Sequence, residues 1–394
     1  QSTLEPDAYI VEGYQQTSLE LKDGRKLFGM IQEETQIEIK LVLPTGEQVT
    51  VNPADIKKRD DAKHSGMPGS FAYTLSPQDV ADMSTWIVDL APAKNVDAKK
   101  KPAPKAEGVS INHIPADKKV AVSLGGKLFT EYRYGNPTKP ILYPVIGPHG
   151  IPMTRNFPMK KGVAGEAEDH PHHQSLYYVH ILNGHDFWHA REGVHVRNDK
   201  IVKAETVGGE AVMVSQNSWM KDKSVVCTDT TELRFGEAGG ARYIDFKITM
   251  HASNGDLTFN QTKEGTMAIR THPALRLKGD VAKGSAINSE GVTGKAIWSK
   301  PAKWVNYWGP INGKTVGIAI FDHPKNPRHP TTWHARDYGL ITANPFGGKA
   351  FKSKHGAMKV DKGSSVTFSY RFLFHEGSHK DAGIPKQYQQ WTKK

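Results

Sequence analysis

The sequence predicts a mainly β protein whose largest part is an antiparallel β-sandwich. From residue 109 to the end, short runs of alternating apolar and polar residues recur, a period typical of strands with one buried face. Turn dipeptides such as Gly125-Gly126 and Asn183-Gly184 separate these runs. Only residues 386–391 (KQYQQW) have a clear helical pattern. We therefore expect a large sandwich in residues 109–394.

The composition limits the classes of function. With 37% hydrophobic and 24% charged residues, the chain of 394 residues is expected to form two or three globular domains. No run of eighteen apolar residues occurs, so we expect no membrane span. The one cysteine, Cys227, excludes an internal disulfide and a C-x-x-C-H motif. The formal net charge of +11 fits solvated lysines or an anionic partner, and no nucleic-acid-binding motif accompanies it.

Residues 1–90 are predicted to form a first domain. Four short strands over residues 17–51 indicate a small β-barrel or a curled sheet, and a polar loop follows to His64. An amphipathic helix is predicted over residues 75–90. Residues 91–108 combine Pro, Ala and Lys without apolar periodicity and are predicted to be a charged linker. The chain begins with glutamine, which suits the mature end of a secreted protein, so we expect a periplasmic or extracellular location.

Three stretches of this first domain resemble the haem-binding cytochrome c modules of planctomycetes and verrucomicrobia. They are TLEPDAYIVEGYQQTSLELKDGRKLFGMIQ, VTVNPADIKKR and MPGSFAYTLSPQDVADMSTWIVDL, and they match the C-terminal half of that family. The resemblance implies a small β insertion, an axial haem ligand at Met67 and a cytochrome c-type C-terminal helix. The family's C-x-x-C-H is missing. Haem c would therefore be attached to a haem-bearing partner polypeptide or a missing segment, unless the module has lost haem or the sequence begins inside a larger protein.

The stretch from Asp169 to Ala190 holds six of the eighteen histidines. Its Asn183-Gly184 turn predicts a hairpin in which Leu182 faces His185. Strand alternation then places three histidines on one sheet face, namely His180, His185 and His189. Imidazoles gathered in this way suit metal binding or proton transfer, and the residues proposed for a divalent metal are His170, His172 and His185. The alternative is that these histidines are separate residues of a polar sheet, each with its hydrogen bonds satisfied.

Polar residues cluster again in three later segments, which are residues 262–265 (TKEG) followed by Arg270, residues 321–339, and residues 375–377 (HEG). Three prolines in the second segment alternate with His, Asn and Arg, which predicts an ordered loop. Aromatic side chains there could stack on a sugar ring, and arginines could bind carboxylate or hydroxyl groups. A proline-stiffened loop with internal salt bridges is the alternative.

Segments of the larger domain resemble the uncharacterised family that carries the label "methane oxygenase PmoA". They are YPVIGPHGIPMTRNFPM, EDHPHHQSLYYVH, NGHDFW, TKEGTMAIR, FDHPKNPRHPTTWHARDYGLITANPFG and FLFHEG, and they span about residues 113–385. This family resembles galactose-mutarotase-like β-sandwich proteins and occurs beside sugar-processing genes in bacteria that degrade polysaccharides. The resemblance implies that architecture and a carbohydrate partner. It assigns no catalytic residue. The particulate methane oxygenase subunit of that name is a membrane protein, whereas no membrane segment is expected in this sequence.

The leading hypothesis is a carbohydrate-active enzyme with an acid and a base on either side of a sugar ring. The catalytic candidates are His172, His173, Glu264 and His334. The substrate-binding candidates are Trp188, Lys263, Arg270, Asn326, Arg328, Trp333, Arg336 and Tyr338. Hydrolysis, lyase cleavage and epimerisation all remain open, with or without a divalent metal. The alternatives are a non-catalytic polysaccharide-binding or electron-transfer component that docks a haem protein, and an oxygenase with Cu or Fe among the histidines.

Overall fold

The computed structural model describes residues 15–35, 38–45, 47–65, 108–191 and 193–393. The chain divides into two compact units, Gln1–Lys101 and Pro102–Lys394. Outside the described residues lie Met67, the predicted helix at residues 75–90 and residues 91–107 of the predicted linker. The cytochrome-like module and the linker therefore stay predictions.

The described residues of the N-terminal unit form one antiparallel sheet. Its strands are β1 (Gln15–Leu21), β2 (Lys26–Glu34), β3 (Ile39–Val42), β4 (Gln48–Val51) and β5 (Ile56–Ser65), in the spatial order β4-β3-β2-β1-β5. The four predicted strands are confirmed, and the described strands form an open sheet instead of a closed barrel. The predicted polar loop is wrong, because Ile56–Ser65 pairs with β1 as an edge strand. Charged side chains are tolerated at such an edge, where one side of the strand faces water.

The larger unit contains two eight-stranded sheets and one four-stranded sheet. The first sheet is formed, in spatial order, by β22 (Trp333–Ala335), β23 (Leu340–Ala343), β18 (Thr266–Arg270), β10 (Leu176–Val179), β9 (Ile141–Val145), β8 (Lys127–Arg133), β7 (Lys119–Leu124) and β6 (Val109–Ile114). The second is formed by β13 (Val194–Val207), β14 (Glu210–Lys221), β15 (Ser224–Ala238), β16 (Ala241–His251), β25 (Ser365–Glu376), β21 (Lys314–Asp322), β20 (Trp304–Ile311) and β19 (Ser285–Asn288). The third is formed by β12 (His185–Asp186), β11 (Ile181–Leu182), β17 (Leu257–Phe259) and β24 (Met358–Val360). The mainly β class with large antiparallel sheets is thus confirmed.

The sandwich core lies between the first and second sheets. The Tyr178 ring of the first sheet lies 6.4 Å from the rings of Trp219 and Phe246 in the second. The helix α1 (Ile384–Trp391) forms where the sequence predicted it and packs on the other side of the second sheet, against residues such as Phe321. Within the described part of the chain, no helix is long and apolar enough to cross a lipid bilayer.

The register of the first sheet aligns one row of residues across four strands. Tyr177 on β10 pairs with Ala268 on β18, which pairs with Thr342 on β23. Thr342 in turn pairs with His334 on β22. Paired residues of neighbouring strands lie on the same side of a sheet, and consecutive residues lie on opposite sides. Arg270 is two residues after Ala268 and therefore shares this side, which we call the outer face of the first sheet.

Candidate functional site

The loop that carries Glu264 is fixed over this outer face. Thr342 Oγ1 donates a hydrogen bond to the carbonyl oxygen of Gly265 at 2.6 Å. The side-chain amide of Asn344 donates to the carbonyl oxygen of Thr262 at 2.9 Å. The Glu264 carboxylate is paired with the neighbouring lysine, and its side chain keeps 22% of its exposure. The two anchors therefore hold a solvent-accessible carboxylate over the row that contains His334.

Four imidazoles lie in mutual contact just before β10, and we call His170, His172, His173 and His189 the histidine cluster. The ring centre of His172 lies 4.3 Å from that of His173 and 4.4 Å from that of His189. The His170 ring stacks on His173 at 4.8 Å and on Tyr338 at 5.5 Å. His170 is exposed, His172 and His189 are half-buried, and His173 is buried. The cluster thus presents three imidazoles to solvent above a fourth that is enclosed.

Carboxylates orient two of these imidazoles. Asp169 Oδ2 lies 3.0 Å from Nδ1 of His170, and Asp186 Oδ2 lies 2.7 Å from Nδ1 of His189. Asp186 also accepts the backbone N–H of His189 at 3.0 Å. Burial raises the pKa of Asp186, but the hydrogen bonds and charge of His189 outweigh it, so this pKa is lowered overall. A neutral imidazole that donates Nδ1–H to a carboxylate presents its Nε2 as a proton acceptor.

Two buried guanidinium groups share the carboxylate of Asp169. Arg155 donates to Asp169 Oδ1 at 2.5 Å, and Arg270 donates to the same oxygen at 3.1 Å. The Arg270 guanidinium also lies 3.4 Å from Nδ1 of His173 and 4.6 Å from the centre of the Tyr338 ring. Burial, together with the charge of Arg155, lowers the pKa of Arg270 to about 10, so both arginines stay charged at neutral pH. This part of the site therefore has an excess of positive charge.

A buried lysine lies behind the cluster. The Lys139 ammonium donates to the carbonyl oxygen of His172 at 2.8 Å and lies 4.2 Å from the centre of the Tyr177 ring. Only 1% of Lys139 is exposed. Burial lowers its pKa to about 7, although the charge of Asp186 opposes the shift. The ammonium group can therefore gain or lose its proton near neutral pH.

Burial keeps the inner histidines neutral at pH 7. Burial lowers the pKa of His172 to about 3, with smaller contributions from nearby positive groups. Burial lowers the pKa of His334 to about 4, against the attraction of Glu264. The pKa of His173 is lowered as well, mainly by burial. These imidazoles can accept a proton or a hydrogen bond, but none of them is the protonated acid at neutral pH.

The structure brings most of the predicted site residues together. Around the outer face lie His172, His173, Trp188, Lys263, Glu264, Arg270, His334, Arg336 and Tyr338. The half-buried Tyr338 ring is contacted by Arg336, whose guanidinium lies 5.3 Å from the ring centre. Trp188 is fully buried under the cluster, 5.5 Å from the His173 ring, so it supports the histidines and is not open to a ligand.

The predicted sugar platform Trp333 does not line the site. Its side chain is fully buried in the sandwich core, and its indole N–H donates to the carbonyl oxygen of Ala302 at 2.9 Å. Trp333 precedes His334 in β22, so strand alternation sends the two side chains to opposite sides of the sheet.

Two other predicted substrate-binding residues have internal partners. The Asn326 amide donates to Asp322 Oδ1 and to the carbonyl oxygen of Ser369, both at 2.8 Å. The Arg328 guanidinium donates to three backbone carbonyl oxygens, those of Pro345, Gly356 and Ala357. These hydrogen bonds hold loops together, and substrate binding by Asn326 and Arg328 stays a prediction.

The predicted metal ligands do not converge. His185 lies in the hairpin opposite Leu182, and the rings of His170 and His172 are 5.8 Å apart at an interplanar angle of 71°. Within the described ranges, no group of three or more His, Cys, Asp or Glu side chains is spaced to hold a metal ion. The set His170, His172 and His185 is therefore not supported as a metal site. A divalent metal and haem c stay predictions.

Three residues of the site, Asp186, Arg155 and Lys139, are not among the candidates that the sequence indicates. Asp186 stands three residues before His189, a spacing that could have suggested the pair. Arg155 lies within the GIPMTRNFPM segment that carries the family resemblance. Lys139 gives no local signal, because a single lysine between prolines is more often exposed than buried.

Comparisons with solved structures find three sugar-related proteins that are similar over 68% of this chain. A galactose mutarotase-like protein from Clostridium acetobutylicum has 9% identity and a TM-score of 0.30, with 98% of that chain covered. A putative aldose 1-epimerase from Escherichia coli K12 has 11% identity and a TM-score of 0.30, with 100% covered. The galactosidase domain of an alpha-galactosidase-sucrose kinase has 8% identity and a TM-score of 0.35, and this chain spans only 42% of it. Similarities at this level carry no inference about the chemistry of this chain.

The family comparison is more direct. None of the curated proteins matches the sequence significantly. One family model matches residues 119–389, which include every residue of the histidine cluster and of the Glu264 loop. This match shows neither the methane oxygenase label nor the cytochrome resemblance. On this match, the chain belongs to the family of unknown function (DUF6807).

Proposed function

We propose that this protein is a secreted or periplasmic carbohydrate-active enzyme that transfers protons to and from a sugar at the histidine cluster. The observation that carries the proposal is the pairing of two half-buried side chains, the imidazole of His189 and the carboxylate of Asp186, in ring contact with a second imidazole, His172. The charged Asp186 favours a proton on Nδ1 of His189, which leaves Nε2 as a base for a sugar hydroxyl group.

The surroundings of the cluster suit a sugar. The half-buried Tyr338 ring can stack on the apolar C–H face of a pyranose, and Arg336 beside it can donate to hydroxyl groups. The accessible Glu264 carboxylate provides a second proton-transfer group on a separate loop. A base and a carboxyl group are the two kinds of proton-transfer group that opening, epimerising or cleaving a sugar ring derivative uses.

The test is turnover by matched variants on a panel of substrates. We would follow anomer exchange of free aldoses by NMR and the release of reducing ends from glycosides. His189→Gln is expected to lower kcat/KM by about 10²–10⁴-fold, the usual contribution of a general base. Asp186→Asn keeps the ring but removes its charged partner, so a smaller loss is expected. Glu264→Gln should also lower turnover while retaining substrate binding.

The control is His195→Gln. His195 is a half-buried histidine on β13 of the second sheet, and its Nδ1 lies 3.3 Å from the Gly193 carbonyl oxygen. This variant should keep full activity. Unchanged turnover in both His189→Gln and Glu264→Gln would contradict the proposal. Sugar binding by the native protein without turnover on any substrate would point instead to a non-catalytic carbohydrate-binding component.

A further inference from the structure

A cavity opens beside the candidate site. Its volume is about 530 Å³, and it lies between the loop around Pro330 and the loop at residues 345–355. Its floor includes the buried ring of Phe351 and three prolines, Pro301, Pro330 and Pro345. A cavity of this size is sufficient for one or two sugar residues.

The lining of this cavity is cationic. Lys300, Lys352 and Lys354 line it, are exposed, and form no salt bridge with a described residue. His329 and His355 contribute two imidazoles. Among the described residues that line the cavity there is no Asp or Glu. Three unpaired ammonium groups around one concavity attract anions, and they do so most strongly at low ionic strength.

Arg328 builds the wall of this cavity. It reaches from the Pro330 loop to the carbonyl oxygens of Pro345, Gly356 and Ala357, so that its charge is used to join the two loops. Its guanidinium also lies 5.1 Å from the centre of the Phe346 ring. Because Arg328 holds the walls in place, the lysines are the cations that remain for a ligand.

The cavity is continuous with the outer face of the first sheet. Phe351 lines it, and the Phe351 ring lies 6.1 Å from the His334 ring. Thr332 also lines it and stands two residues before His334, on the same side of the sheet by alternation. His334 is 2% exposed, and its Nδ1 has no hydrogen-bond partner. A buried and unpartnered polar atom beside this cavity indicates a position where a ligand group completes the hydrogen bonding.

We propose that this cavity binds an anionic group, a carboxylate or a sulfate, of a glycan whose reacting sugar lies at the histidine cluster. The substrate class is then an acidic polysaccharide and not a neutral one. This inference rests on the proposed function, and it adds the charge of the substrate. The charge of the neighbouring site supports this inference. Two guanidinium groups there, those of Arg155 and Arg270, share the single carboxylate of Asp169, so that site also has an excess of positive charge.

The experiment measures binding and not turnover, with three oligosaccharides of equal length, one built from uronic acids, one sulfated and one neutral. Titration calorimetry at low salt should give tighter binding of at least one anionic probe than of the neutral one. The triple variant Lys300→Gln/Lys352→Gln/Lys354→Gln should weaken that binding by about tenfold and reduce its salt dependence. Comparing the two anionic probes tells carboxylate from sulfate recognition.

The matched control is Lys200→Gln/Lys223→Gln/Lys314→Gln, which removes the same charge from positions that do not line the cavity. It should bind the anionic probe like the native protein. Equal weakening by both triple variants would overturn the inference, because the effect would then come from net charge alone. Equal affinity for neutral and anionic probes, or binding of none of them, would also overturn it.

These outcomes are separable from those of the proposed function. If His189→Gln and Glu264→Gln leave turnover unchanged while the cavity variant still loses anionic binding, the proposed chemistry fails and the cavity assignment stands. If the two catalytic-site variants lose turnover but the native protein prefers the neutral probe, the chemistry stands and the cavity assignment fails.

Discussion

Lys139 and its surroundings show how the fold imposes an unusual environment on a single side chain. The ammonium group has one carbonyl oxygen and one aromatic ring beside it, and burial lowers its pKa to about 7. In the unfolded chain the same group ionises near its ordinary value of about 10.4. The folded state therefore carries a cost for this cation at neutral pH that disappears once the group is deprotonated.

We predict that this cost is visible in the pH dependence of stability. Between pH 7 and about 10 the unfolded chain binds more protons at Lys139 than the folded one, so this residue makes the free energy of unfolding rise with pH. Lys139→Met should remove about 2–4 kcal/mol of that rise, measured by denaturant unfolding at pH 7 and 9.5. Lys314→Met, which changes an exposed lysine, is the control. Identical pH profiles for native protein and Lys139→Met would rule out the depressed pKa.

At the same scale, residue types were predictable from the sequence but their orientations were only partly so. His334 and Trp333 are neighbours that were both predicted to contact substrate, and the structure sends one to the outer face and the other to the core. Alternation along β22 makes that split inevitable once the strand is known, but the proline-rich sequence around it predicts a loop. Arg328 shows a different limit, because its three carbonyl partners come from a segment distant in sequence.

At the scale of elements, the Asn183-Gly184 hairpin shows where local rules suffice. Leu182 faces His185 as predicted. The prediction that His180 shares one sheet face with His185 and His189 is wrong, because β10 ends at Val179 and β11 belongs to the third sheet. His180 is buried, and its Nε2 lies 2.8 Å from the Asn260 carbonyl oxygen, away from the histidine cluster. A change of sheet depends on the partner strands, which the hairpin sequence does not contain.

Gly265, which joins the Glu264 loop to β18, gives a prediction at this scale. Its φ of 132° is a value that residues with a Cβ rarely adopt, and a Cβ there would collide with the His180 ring. Gly265→Ala should therefore destabilise the protein by about 1–3 kcal/mol and move the loop that holds Glu264. Thermal unfolding measures the loss of stability, and turnover on any substrate found in the panel of aldoses and glycosides measures the displacement of Glu264.

Gly184→Ala is the matched control for that change. Gly184 has a φ of 80°, and open space surrounds the position of its missing Cβ. The Gly184→Ala variant should lose only about 1 kcal/mol of unfolding free energy, the cost of the backbone conformation, and should keep its turnover. If the two variants behave alike, the contact between Gly265 and His180 does not position the loop.

At the scale of the whole molecule, several titratable groups are enclosed by the two large sheets and their loops. Burial lowers the pKa values of His180, His334 and His375 to about 4 each. Burial raises the pKa of Asp229 to about 6, although its partners Asn217, Thr231 and Trp219 oppose the shift. The composition alone could not predict these pKa shifts, because it does not show which of the eighteen histidines are enclosed.

These groups predict that acid destabilises the larger unit. A histidine with a lowered pKa in the folded state contributes stability above its unfolded pKa of about 6.5, and that contribution is lost as the pH falls towards 4. Asp229 acts in the opposite direction, since a carboxyl group with a raised pKa loses its contribution as the pH rises through about 6. Burial lowers the pKa values of His172 and His173 as well. Five histidines outweigh one carboxyl group, so the free energy of unfolding should fall by at least about 5 kcal/mol between pH 7 and 4.5.

One substitution tests whether the enclosed histidines cause this fall. His375 Nε2 lies 2.7 Å from Asn306 Oδ1, and His375→Gln keeps a hydrogen-bond donor there while removing the group that titrates. The variant should lose about 2 kcal/mol of the difference in unfolding free energy between pH 7 and 4.5, followed by near-UV circular dichroism in denaturant. His195→Gln, which changes a half-buried histidine, should leave that difference intact. A free energy of unfolding that stays constant or rises on acidification would contradict the assignment. Enclosed histidines stay neutral in the folded protein and take up protons in the unfolded chain, so acid must favour unfolding.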